Sequence, residues 1–379
     1  MEETKITIAD SLAEIKSSDW DGLARKNPTA SYDFLRAMEV SNCVGDGTGW
    51  YPAHIFAHQG NKLIGALPLY IKSHSYGEYV FDWAWADAYQ RSGLDYYPKL
   101  LCAIPFTPVG GPRLLTDDEH TKDLLIKSAI QFAETNEFSS FHCLYPAEDE
   151  KSSWAQHSML KRKSFQFHWT NKGYITFDEF LSSMNHRKRK KIRQERDKLS
   201  NLGIFLETVK GSQASDNEWS FFFKCYQQTY LERGSTPYLN QKFFDSIRSS
   251  IGEHILLVFA KFEGDFVASA MNIIGDDVIY GRYWGSTRYI PGLHFEVCYY
   301  QAIEYAIKNG IARFEGGAQG EHKLARGLEP VETDSYHWLA HPQFADAVSS
   351  YLERESPAID NHVGSLQLRS PFKRHLKTS

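Results

Sequence analysis

Ala129-Ile-Gln-Phe-Ala-Glu-Thr-Asn136 recurs later in the chain as Ala302-Ile-Glu-Tyr-Ala-Ile-Lys-Asn309. In both copies the apolar residues recur at helical spacing, and a Phe follows the Asn at the same distance, Phe141 and Phe314. Short strand-like runs close each copy, so the stretch reads as one helix followed by one strand, twice. A repeat of this kind sets the fold class.

Working outward, the two halves keep matching in the same order. His54 to Gly60 with Lys62 to Tyr70 reads as strand, turn, strand, and Ile255 to Gly264 with Phe266 to Ile274 reads the same way. Trp85 precedes Gly93-Leu94 as Trp284 precedes Gly292-Leu293, and His168-Trp169 matches His337-Trp338. Phe-headed helices follow, from Phe177 and from Phe344. Each copy therefore reads hairpin, strand, helix, strand, helix, strand, a mixed sheet flanked by helices in the α/β class. This is the order of the Gcn5-related acetyltransferase fold, so two tandem units are expected. They span residues 1–172 and 173–379, and the capping box Thr176-Phe-Asp-Glu179 opens the second.

The first copy is longer by about 26 residues, because the tryptophans are 199 apart (85 to 284) and the helices 173 (129 to 302). The surplus falls around 103–113, Ala-Ile-Pro-Phe-Thr-Pro-Val-Gly-Gly-Pro-Arg, whose prolines and glycines favour a shaped loop facing a groove between the lobes.

A chain of 379 residues, 42% hydrophobic and 23% charged, is long enough for two globular units. Its net charge of −5 gives no general attraction to DNA or anionic membrane. No stretch reaches the length of a membrane span, the start is acidic without an apolar run, and five scattered cysteines form no CxxC. A cytoplasmic, reduced protein without structural zinc is expected. His54/His58 and His337/His341 do not read as ligand pairs, so no metal is expected.

Five strings carry a family resemblance. They are His74-Ser-Tyr-Gly-Glu-Tyr-Val-Phe-Asp-Trp-Ala-Trp-Ala86, Tyr96-Tyr-Pro-Lys99, Pro105-Phe-Thr-Pro108, Leu293-His-Phe-Glu-Val-Cys-Tyr-Tyr-Gln301 and Gly316-Gly-Ala-Gln-Gly-Glu-His-Lys-Leu-Ala-Arg-Gly327. Together they resemble the FemAB-like predicted N-acyltransferases, relatives of the Fem peptidoglycan aminoacyl ligases. The resemblance implies a transferase linked to peptidoglycan, with an acyl donor that is either aminoacyl-tRNA or acyl-coenzyme A. The pyrophosphate loop of coenzyme A enzymes is not met. Arg288-Tyr-Ile-Pro-Gly292-Leu-His294 is one residue too long, and Gln90-Arg-Ser-Gly93-Leu-Asp95 ends in an anion.

Acyl transfer to an amine needs a base, donors for the developing oxyanion, and cations for the donor's phosphates. In the second copy His294 and Glu296 open a helix, and either could titrate at a site's edge. The Gly-rich turn Gly316, Gly317, Gln319, Gly320 lets backbone approach a ligand closely, with Lys323 and Arg326 behind it as an anion cradle. Glu321 or His322 is the expected base, and the sequence does not choose.

In the first copy His74, Glu78, Asp82 and Asp87 are interleaved with aromatic residues. Strand periodicity sets Glu78 and Asp82 on one face, so a cleft for a small-molecule or peptide amine acceptor is expected there. Trp85, Phe106 and Trp284 are the aromatic candidates for that groove. Residues 176–200 form one basic helix over an apolar stripe of Leu181, Met184, Ile192 and Leu199. Its Arg187, Lys188, Arg189, Lys190 and Lys191 would contact phosphate, most attractively that of tRNA. The reading outside the enzyme class is a binding module for a peptide or cell-wall fragment in which both copies have lost their chemistry.

Overall fold

A computed structural model describes residues 3–317 and 320–373. The chain begins with β1 (Thr4–Ala9), α1 (Ser17–Leu23), α2 (Tyr32–Val40), β2 (Trp50–Pro52), β3 (His54–Gln59), β4 (Lys62–Leu67) and β5 (Tyr70–Lys72). Next come α3 (Trp83–Arg91), β6 (Lys99–Cys102), α4 (Glu119–Thr135), β7 (Ser140–Leu144), α5 (Lys151–Ala155) and β8 (Leu160–Thr170). The chain continues through α6 (Phe177–Ser183), α7 (His186–Asn201), β9 (Ile204–Lys210), α8 (Asp216–Leu231), α9 (Gln241–Ile251), β10 (Ile255–Phe262) and β11 (Asp265–Ile274). It ends with β12 (Val278–Ser286), α10 (Leu293–Phe295), α11 (Gln301–Lys308), β13 (Arg313–Glu315), β14 (Glu329–Leu339) and α12 (Pro342–Leu368).

The repeated helix and strand are α4–β7 and α11–β13. Both helices end the same way. Asn136 and Asn309 turn their side-chain amides back to the carbonyls of Phe132 and Tyr305, at 2.9 and 2.8 Å. The next residue in each is left-handed, Glu137 at φ 55° and Gly310 at φ 67°, which ends the helix and releases the chain into its strand.

The strands that carry His168-Trp169 and His337-Trp338 are exchanged between repeats. Residues 168–170 of β8 pair with 313–315 of β13, and residues 335–339 of β14 pair with 140–144 of β7. Compact units follow this exchange. The first comprises residues up to Phe165, Tyr238–Ile247 and Glu332–Asn361; the second comprises Gln166–Pro237, Arg248–Val331 and residues from His362 onward.

In the first unit a small sheet β1-β3-β4 accompanies the order β2-β5-β6-β7-β14. The core between them includes Ile55, Leu67, Leu100, Leu125, Ile126, Phe141 and Trp154. In the second unit the order is β8-β13-β12-β11-β10-β9, with Leu199, Val258, Ala268, Leu293 and Val297 among its packed side chains.

Three expectations about local structure are corrected. Residues 73–82 form no strand. They are a loop with Gly77 at φ 82° and Tyr79 at φ 62°, conformations that a strand cannot hold. Trp85 and Trp284 are not equivalent either, because Trp85 lies on α3 and Trp284 on β12.

Residues 176–200 are two helices. Thr176 caps α6, with its side chain accepting from the Glu179 N–H at 3.2 Å. Met184 is extended, and Asn185 caps α7 by accepting from the Lys188 N–H at 3.0 Å. The C-terminal segment fills the break, with Lys373 N–H donating to Ser183 O and Asn185 N–H to Pro371 O, each at 2.9 Å.

The insertion 103–113 is largely buried in the first unit. Gly111 N–H reaches Tyr145 O at 3.2 Å, extending the β7 side of the sheet. Arg113, fully buried, donates to the carbonyls of Leu144, Pro112 and Val109, and its own N–H and that of Leu114 rest on the Glu150 carboxylate. The space after β6 is therefore filled by the chain itself.

Candidate functional site

In the second unit the corresponding pair of parallel strands parts. β12 pairs with β13 only over residues 278–280 and 313–315, then runs on to Ser286 paired with β11 alone. Two parallel strands parting in mid-sheet expose backbone and side chains at their carboxyl ends, where open α/β sheets bind ligands. Gly281 marks the divergence, since a Cβ there would press on the Phe314 ring and Glu315 O.

After β12 the chain turns at Gly292 (φ 90°) into α10, a single π-helical turn Glu296–Tyr300, and then α11. The π turn widens the helix by one residue per turn, a feature that recurs at functional sites. It brings His294 and Tyr299 together, with ring centres 5.3 Å apart, and His294 lies 4.5 Å from the Trp284 ring on β12. From the other side, the turn Glu321–Arg326 presents His322. Its ring is 5.9 Å from that of His294, and its Nε2 is 3.2 Å from the Tyr299 hydroxyl. Gly320, at φ 105°, makes this possible, since a Cβ there would overlap the His322 ring.

Burial and nearby charge tune these groups. Burial pushes the His294 imidazole down to about 4, helped by His322 and Lys323. His322 is lowered by burial and by the charges of Lys323 and Arg326, so it is neutral at physiological pH. Lys323 is only 5% exposed, donates to Gly317 O at 3.1 Å, and is lowered by burial to about 8. Tyr299 is raised by burial and keeps its proton.

Arg326 lies flat on the Phe295 ring, 3.8 Å from its centre, and donates to Glu195 Oε1 at 2.8 Å. Glu195 also accepts from the Tyr300 hydroxyl at 2.9 Å. The Arg326 Nε is buried without a hydrogen-bond partner. Lys188 on α7 is lowered by burial and by the positive charges of Lys191, Arg326 and Arg187. Lys191 is 3.9 Å from Glu195, whereas Arg187, Lys188, Arg189 and Lys190 have no ion-pair partner among the described residues.

The remaining second-unit candidates sit otherwise. Glu321 is exposed and paired with Arg369 (2.9 Å) and His362 (3.3 Å). Glu296 is buried and held by Arg196 at 3.0 Å and by the Gln301 amide at 2.8 Å. Gly316 and Gly317 line the turn after β13, where a Cβ on Gly316 would collide with Leu328. Gln319 lies outside the described residues. A depression of about 490 Å³ on the C-terminal half of α7, lined by Thr176, Asp178, Arg193, Arg196 and Glu304, holds none of the histidines.

In the first unit the expected carboxylate-lined face meets a different arrangement. Glu78 and Asp82 are buried and both hold Lys99, Glu78 at 2.9 Å. His74 Nε2 contacts Thr48 O at 3.0 Å. Trp85 is buried against His337, and Asp87 is an exposed partner of Arg91 at 2.7 Å. Phe106 is stacked on Tyr238 and tilted against Trp50. Sequence reasoning missed Lys72, Lys99 and His142, although Lys99 ends the family string Tyr96-Tyr-Pro-Lys99. Tyr299 likewise stands inside a family string without a predicted role.

Two exchanged α/β repeats and an open wedge in the second unit agree with one family profile. The chain belongs to the FemAB-like family. That family, described as peptidoglycan biosynthesis/recognition, matches residues 11–374. No curated protein matches the sequence. Among solved structures, the crystal structure of FemX is 12% identical and superposes with a TM-score of 0.56, covering 88% of this chain and 98% of its own. The C-terminal domain of a putative lysylphosphatidylglycerol synthetase from Agrobacterium fabrum is 10% identical, with a TM-score of 0.56 and coverage of 89% and 95%. L-PGS from Bacillus licheniformis is 10% identical, with a TM-score of 0.54 and coverage of 89% and 97%. At such identities the likeness is one of fold. Among the described residues no cluster of His, Cys, Asp or Glu could hold a metal, and no helix is long and apolar enough to cross a membrane.

Proposed function

We propose that this protein is an N-acyltransferase that moves an aminoacyl group from tRNA to an amine of a peptidoglycan precursor. One observation carries the choice of donor. Arg187, Lys188, Arg189 and Lys190 have no ion-pair partner among the described residues, and their helix α7 reaches Arg326 through Glu195 at 2.8 Å, while the buried Arg326 Nε lacks a hydrogen-bond partner. Surplus, partly desolvated cations at a helix start suit a phosphate backbone. The family description and the names of FemX and the lysylphosphatidylglycerol synthetases support the same class of reaction.

In this reading the acceptor nitrogen attacks the ester carbonyl carbon beside His322. The N–C bond forms and the C–O bond to the ribose breaks. His322 takes the proton leaving nitrogen and returns it to the ribose oxygen. The Tyr299 hydroxyl, 3.2 Å from Nε2, can accept the Nε2 proton and so leave Nδ1 as the bare nitrogen. Lys323, charged below about pH 8, faces the oxyanion that develops on the carbonyl. His294, neutral beside Trp284, shapes the apolar wall of the wedge.

Salt-dependent binding of bulk tRNA tests the donor. Arg187/Lys188/Arg189→Ala should weaken binding and flatten the log–log salt slope by about one for every phosphate left unneutralised. Unchanged tRNA binding in that variant, together with coenzyme A stabilisation that needs Lys323 and Arg326, would instead assign a thioester donor. Binding of a stem peptide with no affinity for either donor would leave the binding module as the function.

A further inference from the structure

The first unit carries a charge site that the transfer reaction does not use. Lys72 on β5 and Lys99 on β6 are direct cross-strand partners, and both side chains are fully buried. Two like charges opposite each other on neighbouring strands repel, and in a buried site they require an anion between them. Lys72 lies over the Trp50 ring at 3.9 Å and donates to Gly49 O at 3.1 Å and Tyr76 O at 3.4 Å. Lys99 donates to Ser75 Oγ at 2.8 Å.

The anions now present are Glu78 and Asp82, and both come from the loop 73–82 rather than from the sheet. Their fit is incomplete. Glu78 Oε1 stands 3.9 Å from Lys72, and both Glu78 Oε1 and Asp82 Oδ1 are buried without a hydrogen-bond partner. An orphaned buried carboxylate oxygen costs about 1–3 kcal/mol or more, so the closed loop gives up stability that open solvent would return. Burial moves Lys72 down to about 7 and Glu78 up to about 7, as expected of a pair that lacks a full complement of partners.

The loop also has the build of a cover. It has Tyr79 in the left-handed region (φ 62°) and turns at Gly77, where a Cβ would strike the Phe106 ring. It and the start of α3 expose Tyr76 (55%), Phe81 (55%) and Trp83 (43%) to solvent. Tyr76 and Phe81 face outward while Tyr79 and Val80 are half-buried and the carboxylates face the lysines, so lifting it costs limited apolar burial.

We infer that Lys72 and Lys99 form a binding site for a phosphate-bearing group, occupied in this structure by the Glu78 and Asp82 carboxylates of the overlying loop. A phosphate offers three acceptor oxygens and up to two charges, enough for both ammonium groups, and the displaced carboxylates gain water. A diphosphate fits the paired lysines best. The site belongs to the first unit and is independent of the donor site proposed in the second.

Inorganic pyrophosphate is the probe, with the full chain carrying Arg187/Lys188/Arg189→Ala and Arg326→Gln so that the second unit's cations do not contribute. Glu78→Gln removes the internal competitor and should tighten pyrophosphate binding about tenfold, because the open form is no longer depleted by its own anion. Lys72→Met in addition should abolish that gain. Equal or weaker binding to the Glu78→Gln variant would overturn the site. Should that variant fold poorly, amide exchange in the chain with native Glu78 decides the matter: pyrophosphate should speed exchange across residues 73–82. Unchanged or slower exchange there would show that the loop does not yield to phosphate. Loss of tRNA transfer would leave this result untouched, and the reverse holds equally.

Discussion

His142 Nδ1 lies 2.7 Å from His337 Nδ1, across the paired strands β7 and β14. At that distance one ring donates and the other accepts, so the two imidazoles hold complementary tautomers. Their outer nitrogens settle which. Although burial alone would raise it, Lys99 holds the Asp82 carboxyl well below the usual range, and the Tyr96 hydroxyl donates to it at 2.6 Å. The Tyr96 oxygen, like Ser140 Oγ at 2.8 Å, is then free to accept from His142 Nε2–H, at 3.0 Å. His142 Nδ1 is therefore bare and accepts from His337 Nδ1–H, and Ser335 Oγ donates to His337 Nε2 at 2.8 Å. Lys99, Asp82, Tyr96, His142, His337 and Ser335 form one directed hydrogen-bond chain.

That chain predicts acid lability. Burial takes His142 down to about 3 and His337 well below its ordinary value. Both are depressed relative to an unfolded value near 6.5, so their contribution is whole above about pH 6.5 and is lost as pH falls toward the folded values. Each such proton steepens the fall by up to about 1.4 kcal/mol per pH unit. His337→Asn should be less stable at pH 7 yet lose stability more slowly between pH 6.5 and 4. Urea unfolding midpoints across that range check it, and parallel curves would sink the assignment.

Lys323 predicts an alkaline limit to transfer. Its charged form is lost above about pH 8, so the transfer rate should fall there with a midpoint near that value. Lys323→Arg keeps the charge and should move the limit upward. Lys323→Met should cost on the order of 10²–10³ in rate below about pH 8 and abolish the alkaline limit. A pH–rate profile unchanged in the Arg variant would remove Lys323 from the reaction.

Much of this was legible in sequence where local chemistry decides structure. Asn136 and Asn309 end repeated helices because a capping amide and a left-handed successor act within five residues. The Gly316–Gly320 turn stood out because glycine there admits the Lys323 and His322 side chains. Strand exchange was not legible, since alternation sets which face His168 and His337 occupy but not which strand they pair with. Nor did equal spacing fix the elements of Trp85 and Trp284: one follows the loop ending at Asp82 into a helix, and the other continues a strand from Val278. Lys72 and Lys99 lie 27 positions apart, and only the β5–β6 register sets them opposite each other.

Gly285 tests the floor of the wedge. A Cβ there would overlap the Cys225 carbonyl on α8, where Thr229 Oγ1 also donates to Trp284 O at 2.7 Å. Because the obstacle is backbone, α8 must move, and Gly285→Ala should cost about 2–3 kcal/mol. The displaced Trp284 should also quench or shift its fluorescence. Gly93→Ala, with open space around its Cβ and only a positive φ to strain, should cost about 1 kcal/mol and leave that signal unchanged. Equal costs in the two variants would mean that β12 and α8 are not closely packed at Gly285.

Glu296 separates a structural carboxylate from a catalytic one. It is buried in the π turn beside His294, yet Arg196 and Gln301 take both of its oxygens. Burial raises it, and Arg196 opposes that rise. Removing the guanidinium alone, in Arg196→Met, leaves the carboxylate buried beside a residual amide donor and should cost about 3–5 kcal/mol. Arg196→Met/Glu296→Met replaces both charges by side chains of similar volume and should recover most of that loss. If Glu296 only holds the π turn in place, the double variant keeps kcat within a few fold and changes KM as the wedge relaxes. If it takes a proton from the acceptor, stability returns in the double variant while kcat stays low at every pH. The first outcome leaves His322 as the base; the second transfers that role to Glu296.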